Sequence, residues 1–279
     1  MREAQAPGER TASGGAVTAM GGIARWVVPL AIGLIALLAW EATVRIREVP
    51  AYIIPAPSLI ATTLVADWAI LWPALLVTLK ITLLALAISV VGGVGLAFLF
   101  TLSPLVELSL FPFAVILQVT PIIAIAPLIL IYAPNTLTAL LICAWIVAFF
   151  PILSNTVVGL RSADRNLQDL FTLYGASRWQ RLRFLLAPSA LPYFLAGLKI
   201  AGGLSLIGAV VAEFAAGTSG QESGLAYRIL EASFRLNVAR MFAALTLVSL
   251  MGILIFVAFN RLSVLLLGQW HESEIDEGR

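Results

Sequence analysis

Charged residues are scarce in this chain of 279 residues: Asp, Glu, Lys and Arg make up 11% of it, and hydrophobic residues make up 61%. Soluble domains use about 25% charged residues to cover their surface. The low proportion of charge therefore excludes a soluble globular domain. We interpret the chain as an all-α polytopic membrane protein.

Histidine and cysteine occur only once each, as His271 and Cys143. A single cysteine excludes an internal disulfide, and there is no HExxH motif for a metal. The segment GTSG at 217–220 matches the GxSG of rhomboid-like intramembrane serine proteases, a mechanism that needs a base beside Ser219. His271 follows the last apolar segment, across the membrane from Ser219 in the topology derived below. We therefore expect no enzyme activity, metal site or cofactor.

A phosphate-binding loop of the form GxxxxGK[ST] is also absent. The two lysines, Lys80 and Lys199, are each followed by isoleucine and lie in apolar segments. If ATP drives this protein, we expect a separate chain to bind it.

Apolar segments long enough to cross about 30 Å of hydrocarbon as a helix predict about six transmembrane helices. Pro121 and Pro127 can kink the third of them. Residues 1–24 lack the continuous apolar region of a cleaved signal, so we expect a disordered tail and a retained first span. The membrane domain then covers 25–268, and 269–279 form a short tail. The predicted spans cover approximately residues 26–42, 74–102, 108–132, 136–160, 191–212 and 241–267.

The distribution of arginine predicts the orientation, because positively charged loops stay in the cytoplasm. If the N-terminus is inside, ten arginines lie on the cytoplasmic side and five on the other. This excess favours cytoplasmic N- and C-termini, and it places the loop at about 161–190 in the cytoplasm.

That loop predicts two short helices joined by a glycine. Asp164 or Asn166 can cap the helix LQDLFTLY, and Gly175 follows at the point where a helix end favours positive φ. The second helix, SRWQRLRFLLA, begins at Ser177 and is expected to stop ahead of Pro188. We call residues 161–190 the elbow.

Basic residues on the second elbow helix have two interpretations. Arg178 and Arg181 are three residues apart and share a face, whereas Trp179 lies on an apolar side. Juxtamembrane arginines usually anchor a loop at anionic lipid headgroups. The alternative is that they contact a soluble partner.

The elbow resembles a signature of the permease subunits of bacterial ATP-binding-cassette importers, in the branch for sulfonates, taurine and nitrate. The signature reads EAA, three residues, Gly, nine residues, Ile, one residue, Leu-Pro. Its acidic, glycine and proline positions fall on Asp169, Gly175 and Pro188, whereas its alanines and the leucine before proline are not matched. The resemblance covers approximately residues 55–268, including PAPS after the first span.

The resemblance implies a type I ABC importer permease fold in the bacterial cytoplasmic (inner) membrane. It also implies a second permease copy, cytoplasmic ATP-binding subunits, a periplasmic or lipid-anchored substrate-binding protein and the lipid bilayer as partners, and no nucleic acid. The elbow helices would sit in a groove on the ATPase, with Phe171 and Trp179 as candidate anchors. The residues expected to couple to the ATPase are Asp169, Phe171, Gly175, Arg178, Trp179, Arg181 and Pro188.

Four polar residues in or near the spans are candidates for the lining of a translocation path. Ionisable residues inside a bilayer cost about 2.5 to 3.5 kcal/mol, so they usually face a cavity or a partner. Lys80 and Lys199 could instead extend to the membrane surface, and Gln118 could bond a neighbouring helix. Glu213, at the outer end of the fifth span, could be a gate, a contact for the delivery protein or an exposed carboxylate.

The fifth span also carries small residues at spacings of three or four, which predict close packing against another helix. Lys199 and Glu213 fall roughly opposite this stripe. Two further segments, PAPSLIATTLVADWAILW and SGLAYRILEASFRLNVARMF, predict helices at the outer membrane surface. The small residues are Gly197, Ala201, Ser205, Gly208 and Ala212.

We therefore expect the permease subunit of an importer for a small polar or anionic solute. The resemblance leaves sulfonates, taurine, nitrate, pyrimidines and riboflavin-like heterocycles open as substrates. An ATP-independent secondary transporter or channel is the alternative, because intramembrane charge and kinked spans are compatible with it. A structural membrane scaffold is a third class, which the polar residues within the spans disfavour.

Overall fold

A computed structural model describes residues 22–217 and 223–268 of the chain. All regular elements of these two ranges are helices, as the composition predicts. The expected tail at 269–279, the Ser219 segment and His271 lie outside the described residues, and the first helix begins within the expected tail at 1–24. The helices are α1 Gly22–Ile46, α2 Pro57–Ala66, α3 Trp68–Leu102, α4 Pro104–Val119, α5 Ile122–Tyr132, α6 Thr136–Arg161, α7 Arg165–Leu173, α8 Arg178–Arg181, α9 Ala187–Ala216, α10 Leu225–Phe234 and α11 Val238–Leu267.

Five helices of the described ranges are long and apolar enough to cross a membrane, and the number is six if a bent pair of helices forms one span. The pair is α4 and α5, which meet at an angle of 105°. Pro121 causes the bend, because the residue before a proline disfavours helical backbone, and Thr120 is extended, with ψ 124°. Six spans are therefore present when the bent pair counts as one. The five straight spans are Val27–Ile46, Trp68–Leu102, Thr136–Arg161, Arg178–Ala216 and Val238–Leu267.

The centre of the bundle is the contact between α6 and α9, and small residues make it close. A Cβ atom added at Gly208 would lie 2.8 Å from Cα of Ala144, and one added at Gly197 would lie 2.8 Å from the carbonyl oxygen of Pro151. Ala201, Ser205 and Ala212 on the same stripe are buried as well. The predicted small-residue stripe is therefore confirmed as a packing face.

This close approach predicts that a large side chain at Gly208 separates the two helices. A Gly208→Leu variant must move the backbone of α6, because the nearest atom is Cα of Ala144. We expect a loss of at least about 2 kcal/mol in the free energy of unfolding, the usual range for overpacking. Gly95→Leu on α3 is the control, since nothing lies within 4 Å of a Cβ atom at Gly95. Equal thermal stability of the two variants in detergent would contradict this packing.

The second elbow helix does not stop ahead of Pro188, so that expectation is wrong. The chain runs from α8 through a π-helical turn, Leu182–Leu186, directly into α9. In this wider turn the N–H of Ala187 donates to the carbonyl of Leu182, five residues back. The widened turn lies immediately before Pro188, which has no N–H to donate and would crowd a regular helical turn. The second elbow helix and the fifth span therefore form one continuous helix from Arg178 to Ala216.

The two segments predicted at the membrane surface each contain a short helix, α2 and α10. Glu231 on α10 pairs with Arg228 at 2.8 Å and with Arg235 at 2.9 Å, so these three charged side chains lie on one side of the helix. The hydrogen bond from Arg228 lowers the pKa of Glu231, and the carboxylate is ionised at neutral pH.

Candidate functional site

Local hydrogen bonds shape the first half of the elbow. Asp164, rather than Asn166, caps α7: its carboxylate accepts from the backbone N–H groups of Asn166 and Leu167 at 2.7 and 3.4 Å. At the other end Gly175 has φ 63°. Its N–H donates to the carbonyl of Thr172, and the N–H of the following alanine donates to the carbonyl of Phe171. This pair of bonds closes a helix through a left-handed residue, as the sequence predicts for Gly175.

The second half of the elbow is anchored in the bundle. Ser177 and Gln180 cap α8 reciprocally, each side chain bonding the other's backbone N–H. Leu182, Leu185 and Leu186 are buried in a cluster at the ends of α3 and α6. A displacement of α8 would therefore move the start of α9 and shift its contacts with α3 and α6.

Large apolar side chains project outward from the elbow. Leu173 is 84% exposed, Tyr174 83% and Trp179 66%. Beside them a cleft of about 390 Å³ opens between α7 and α8. We define the elbow face as Leu173, Tyr174, Trp179 and Phe184.

One predicted coupling residue, Arg181, points away from this face. Its guanidinium donates to the side-chain carbonyl of Gln168, which in turn donates to the carbonyl of Ala163 at 2.9 Å. Phe171 is half-buried: it packs against the buried cluster and also lines the cleft, together with Tyr174. Arg181 therefore lies on the bundle side of the elbow, and Phe171 lies between that side and the cleft.

The remaining predicted coupling residues lie at the surface. Asp169, Arg178, Trp179 and Pro188 are exposed. Sequence reasoning missed Leu173 and its neighbour Tyr174, which form the most exposed part of the elbow face. The available signal was their position just before Gly175, in a polar loop where large apolar residues have no helix to cover them.

Glu213 is buried near the far end of α9, so the expectation of an exposed carboxylate there is wrong. Its side chain accepts a hydrogen bond from the hydroxyl of Thr78 at 2.7 Å and another from the backbone N–H of Ala226 at 2.9 Å. The N–H of Leu225 donates to the same Thr78 oxygen at 2.9 Å. Glu213 thus joins α3 and α9 to the first turn of α10.

Glu213 is buried because it caps the start of α10, whose own N-cap residue, Gly224, has no side chain to do so. The carboxylate of Glu213 occupies that place: a Cβ atom at Gly224 would lie 2.2 Å from Oε1 of Glu213. A carboxylate at a helix N-terminus satisfies free N–H groups and complements the helix dipole. Glu41 acts in the same way for α2, accepting from the backbone N–H of Ser58 at 3.0 Å.

The side chains of the other three path candidates form no hydrogen bond or ion pair with any residue of the described ranges. Lys80 is exposed and lies about 18 Å along α3 from its beginning at Trp68. Lys199 is half-buried, and it lies about 25 Å or more from either end of the helix Arg178–Ala216. Gln118 is exposed in the last turn of α4, so the expected bond to a neighbouring helix is not formed. The structure therefore does not bring Lys199 and Glu213 onto one open face.

Comparison with known proteins gives similarity over nearly the whole chain. The formylaminopyrimidine transport permease protein ThiX of Halalkalibacterium halodurans is 32% identical over 247 residues, covering 88% of this chain and 96% of that protein. The riboflavin transport system permease protein RibX of Chloroflexus aurantiacus is 35% identical over 242 residues, 86% of this chain and 88% of that protein. A putative aliphatic sulfonates transport permease protein of Bacillus subtilis is 27% identical over 231 residues, 81% of this chain and 82% of that protein.

A solved structure, that of an amino acid ABC transporter with histidines, shares the fold. Its TM-score is 0.59 at 19% identity, covering 74% of this chain and 96% of the matched chain. Residues 89–268 match the family described as binding-protein-dependent transport system inner membrane component. The match includes the elbow, α9, α10 and α11. The chain therefore belongs to this family of transport permeases, in agreement with the resemblance that the elbow predicts.

Proposed function

We propose that this chain is the membrane-spanning permease subunit of an ATP-driven importer, and that ATP is hydrolysed by a separate chain bound at the elbow face. The proposal rests on one observation: the elbow face is exposed and apolar, and it lies at the beginning of the helix Arg178–Ala216. A soluble partner that covers Leu173 and Trp179 removes apolar surface from water, which stabilises the complex. Movement of that partner is transmitted along one rigid helix into the bundle.

The proposed orientation places the elbow in the cytoplasm of a bacterium, with both termini on that side of the inner membrane. The elbow carries five arginines, at positions 161, 165, 178, 181 and 183. The opposite end has five as well, at 45, 47, 228, 235 and 240, but four of these, all except Arg47, bind a carboxylate. The count of arginines supports this orientation: with the five near the chain termini, at 2, 10, 25, 261 and 279, the elbow side has ten against five. A substrate-binding protein would dock at the opposite end, where α2 and α10 lie.

A second copy of the chain would complete the translocation path. One stripe of α9 contains half-buried Lys199 and exposed Ile200, Gly203 and Ile207, on the side away from α6. An unpartnered lysine deep in a span is costly unless it reaches water or a second protein surface. We assign Lys199 to the lining of a path between two copies. Lys80, closer to the end of its helix, we assign to the membrane surface.

The solute we infer is small and polar, with a pyrimidine-type ring as the first candidate. The two relatives with at least 30% identity described above are named for formylaminopyrimidine and riboflavin, whose ring systems share a pyrimidine ring with hydrogen-bond acceptors. The ammonium group of Lys199 can donate to such acceptors as well as to an anion. Aliphatic sulfonates, taurine and nitrate are the second candidate class.

The experiment that tests this function is uptake into proteoliposomes containing the permease with the ATPase and the binding protein that copurify with it. We expect uptake of a labelled pyrimidine or riboflavin only with ATP and Mg²⁺ on the elbow side. Competition by unlabelled taurine or nitrate would identify the second solute class instead. Uptake driven by an ion gradient without ATP would contradict the proposal and favour a secondary transporter.

Replacement of Lys199 by methionine tests the path assignment. Methionine keeps the length of the side chain and removes the donor, so we expect solute uptake to fall about tenfold while the complex still assembles. This corresponds to about 1.4 kcal/mol, close to the lower limit of about 1.5 to 3 kcal/mol for one hydrogen bond to a charged group. Lys80→Met removes the same charge from an exposed position on α3 and should retain uptake. Equal uptake by the two variants would remove Lys199 from the path.

A further inference from the structure

A second cavity, distinct from the cleft on the elbow face, lies on the bundle side of the elbow. Its volume is about 620 Å³, and its walls come from the ends of α3 and α6, the start of α4, and α7 to the π-helical turn. All of these elements meet where apolar spans give way to the polar elbow. In the proposed orientation, on which this inference rests, that junction is expected at the level of the lipid headgroups.

The walls of this cavity are of two kinds. One part is apolar and includes Phe100, Leu102 and Leu186. The other part carries the side chains of Arg161, Arg178, Arg181, Gln168 and Glu107. Three arginines against one carboxylate leave two positive charges facing the cavity.

The two uncompensated charges are Arg178 and Arg181. Arg161 is paired with Glu107 at 2.5 Å. Arg178 forms no side-chain hydrogen bond or ion pair within the described ranges. Arg181 donates through one terminal nitrogen to Gln168, but its Nε is buried with no hydrogen-bond partner among the described residues. An unpaired buried N–H of a charged group is costly, which favours an acceptor that fills the cavity.

We propose that this cavity binds a phosphate group, and that its source is an anionic phospholipid of the inner leaflet. Guanidinium groups bind phosphate through parallel N–H donors, and Arg178 and Arg181 provide two such groups. The volume lies within the usual range for organic ligands, about 300 to 1,000 Å³. The apolar wall suits the glycerol and the first acyl carbons of a lipid. Bound lipid would join the elbow to the junction of α3 and α4.

Native mass spectrometry of the full-length, delipidated chain in detergent tests this site. The probes are phosphatidylglycerol, phosphatidylcholine and inorganic phosphate. We expect the wild-type chain to retain phosphatidylglycerol at least tenfold more strongly than Arg178→Gln/Arg181→Gln does. Arg165→Gln/Arg183→Gln, which removes the same charge outside the cavity, should bind like the wild type. Arg178→Lys/Arg181→Lys should recover part of the binding, which separates lost charge from lost folding.

The three probes distinguish the sources of the phosphate. Specific retention of phosphatidylglycerol that millimolar inorganic phosphate does not displace supports a lipid. Displacement by inorganic phosphate, with loss of both ligands in the cavity variant, supports the phosphate site but overturns the lipid as its source. Equal retention of phosphatidylglycerol by the cavity variant and its control overturns the site altogether. Equal retention of phosphatidylcholine, whose headgroup also contains a phosphate, by the wild type overturns the preference for an anionic phospholipid.

Discussion

Replacing Gly175 with valine is expected to lower ATP-driven uptake at least tenfold while the chain still accumulates in the membrane. Gly175 has φ 63°, a conformation that costs an ordinary L-residue about 1 to 2 kcal/mol and a β-branched residue more. Space is not the obstacle, because nothing lies within 4 Å of a Cβ atom built there. The strain is relieved only if the backbone leaves the left-handed region. That change breaks the two hydrogen bonds that close α7 and turns Leu173 and Tyr174 away from Trp179.

The control for this variant is Gly175→Asn, because asparagine adopts left-handed backbone more readily than other residues with a side chain. We expect it to retain most of the uptake. ATP hydrolysis and uptake should be measured on the same reconstituted complex, since a displaced elbow face reduces coupling between the two. Uptake by the valine variant equal to that of the asparagine variant would show that the left-handed turn is not required.

Replacing Glu213 with alanine is expected to cause the largest loss of stability among the polar substitutions considered. It removes the acceptor of two buried hydrogen bonds, from Thr78 and from the N–H of Ala226. Each buried donor left without a partner costs about 1 to 3 kcal/mol, so we expect a loss of about 2 to 6 kcal/mol. The N–H of Ala226 then has no side-chain acceptor, because Gly224 cannot supply one, and only the N–H of Leu225 keeps its bond to Thr78.

Glu213→Gln is the matched control, because glutamine keeps the shape and one side-chain acceptor oxygen. We expect Glu213→Gln to lower the thermal unfolding midpoint in detergent, but by less than Glu213→Ala does. Glu41→Ala removes the corresponding cap of α2, whose hydrogen bonds are at the protein surface, and should have a smaller effect than Glu213→Ala. Equal midpoints for the Glu213→Ala variant and the wild type would contradict a structural role for this carboxylate.

Features that depend on neighbouring residues in the chain were predictable from the sequence. Spans follow from apolar length, and the turn at Gly175 follows from the need for positive φ after an amphipathic helix. The bend at Pro121 was expected as a kink, but its 105° was not, because the angle depends on what α5 packs against. The small-residue stripe on α9 follows from spacing alone.

Features that depend on distant contacts were not predictable in this way. Glu213 and Thr78 are 135 positions apart, and nothing near Glu213 in the sequence indicates that it caps a helix. Arg181 looked like a contact for a partner, because the spacing defines the faces of the helix but does not tell which face meets the bundle. The π-helical turn before Pro188 replaced an expected helix end, since burial of Leu182 and Leu186 holds the helix together there.

The most direct test of the proposed function is recovery of an ATPase subunit with the tagged, full-length chain from its native membrane in mild detergent. We expect the wild type to retain the ATPase and Leu173→Ser/Trp179→Ala to lose it. Phe234→Ala/Leu236→Ser removes comparable exposed apolar groups at the opposite end of the bundle and should retain the ATPase. A stable wild-type chain purified without an ATPase, or an elbow variant that keeps its ATPase as the control does, would contradict coupling through the elbow face.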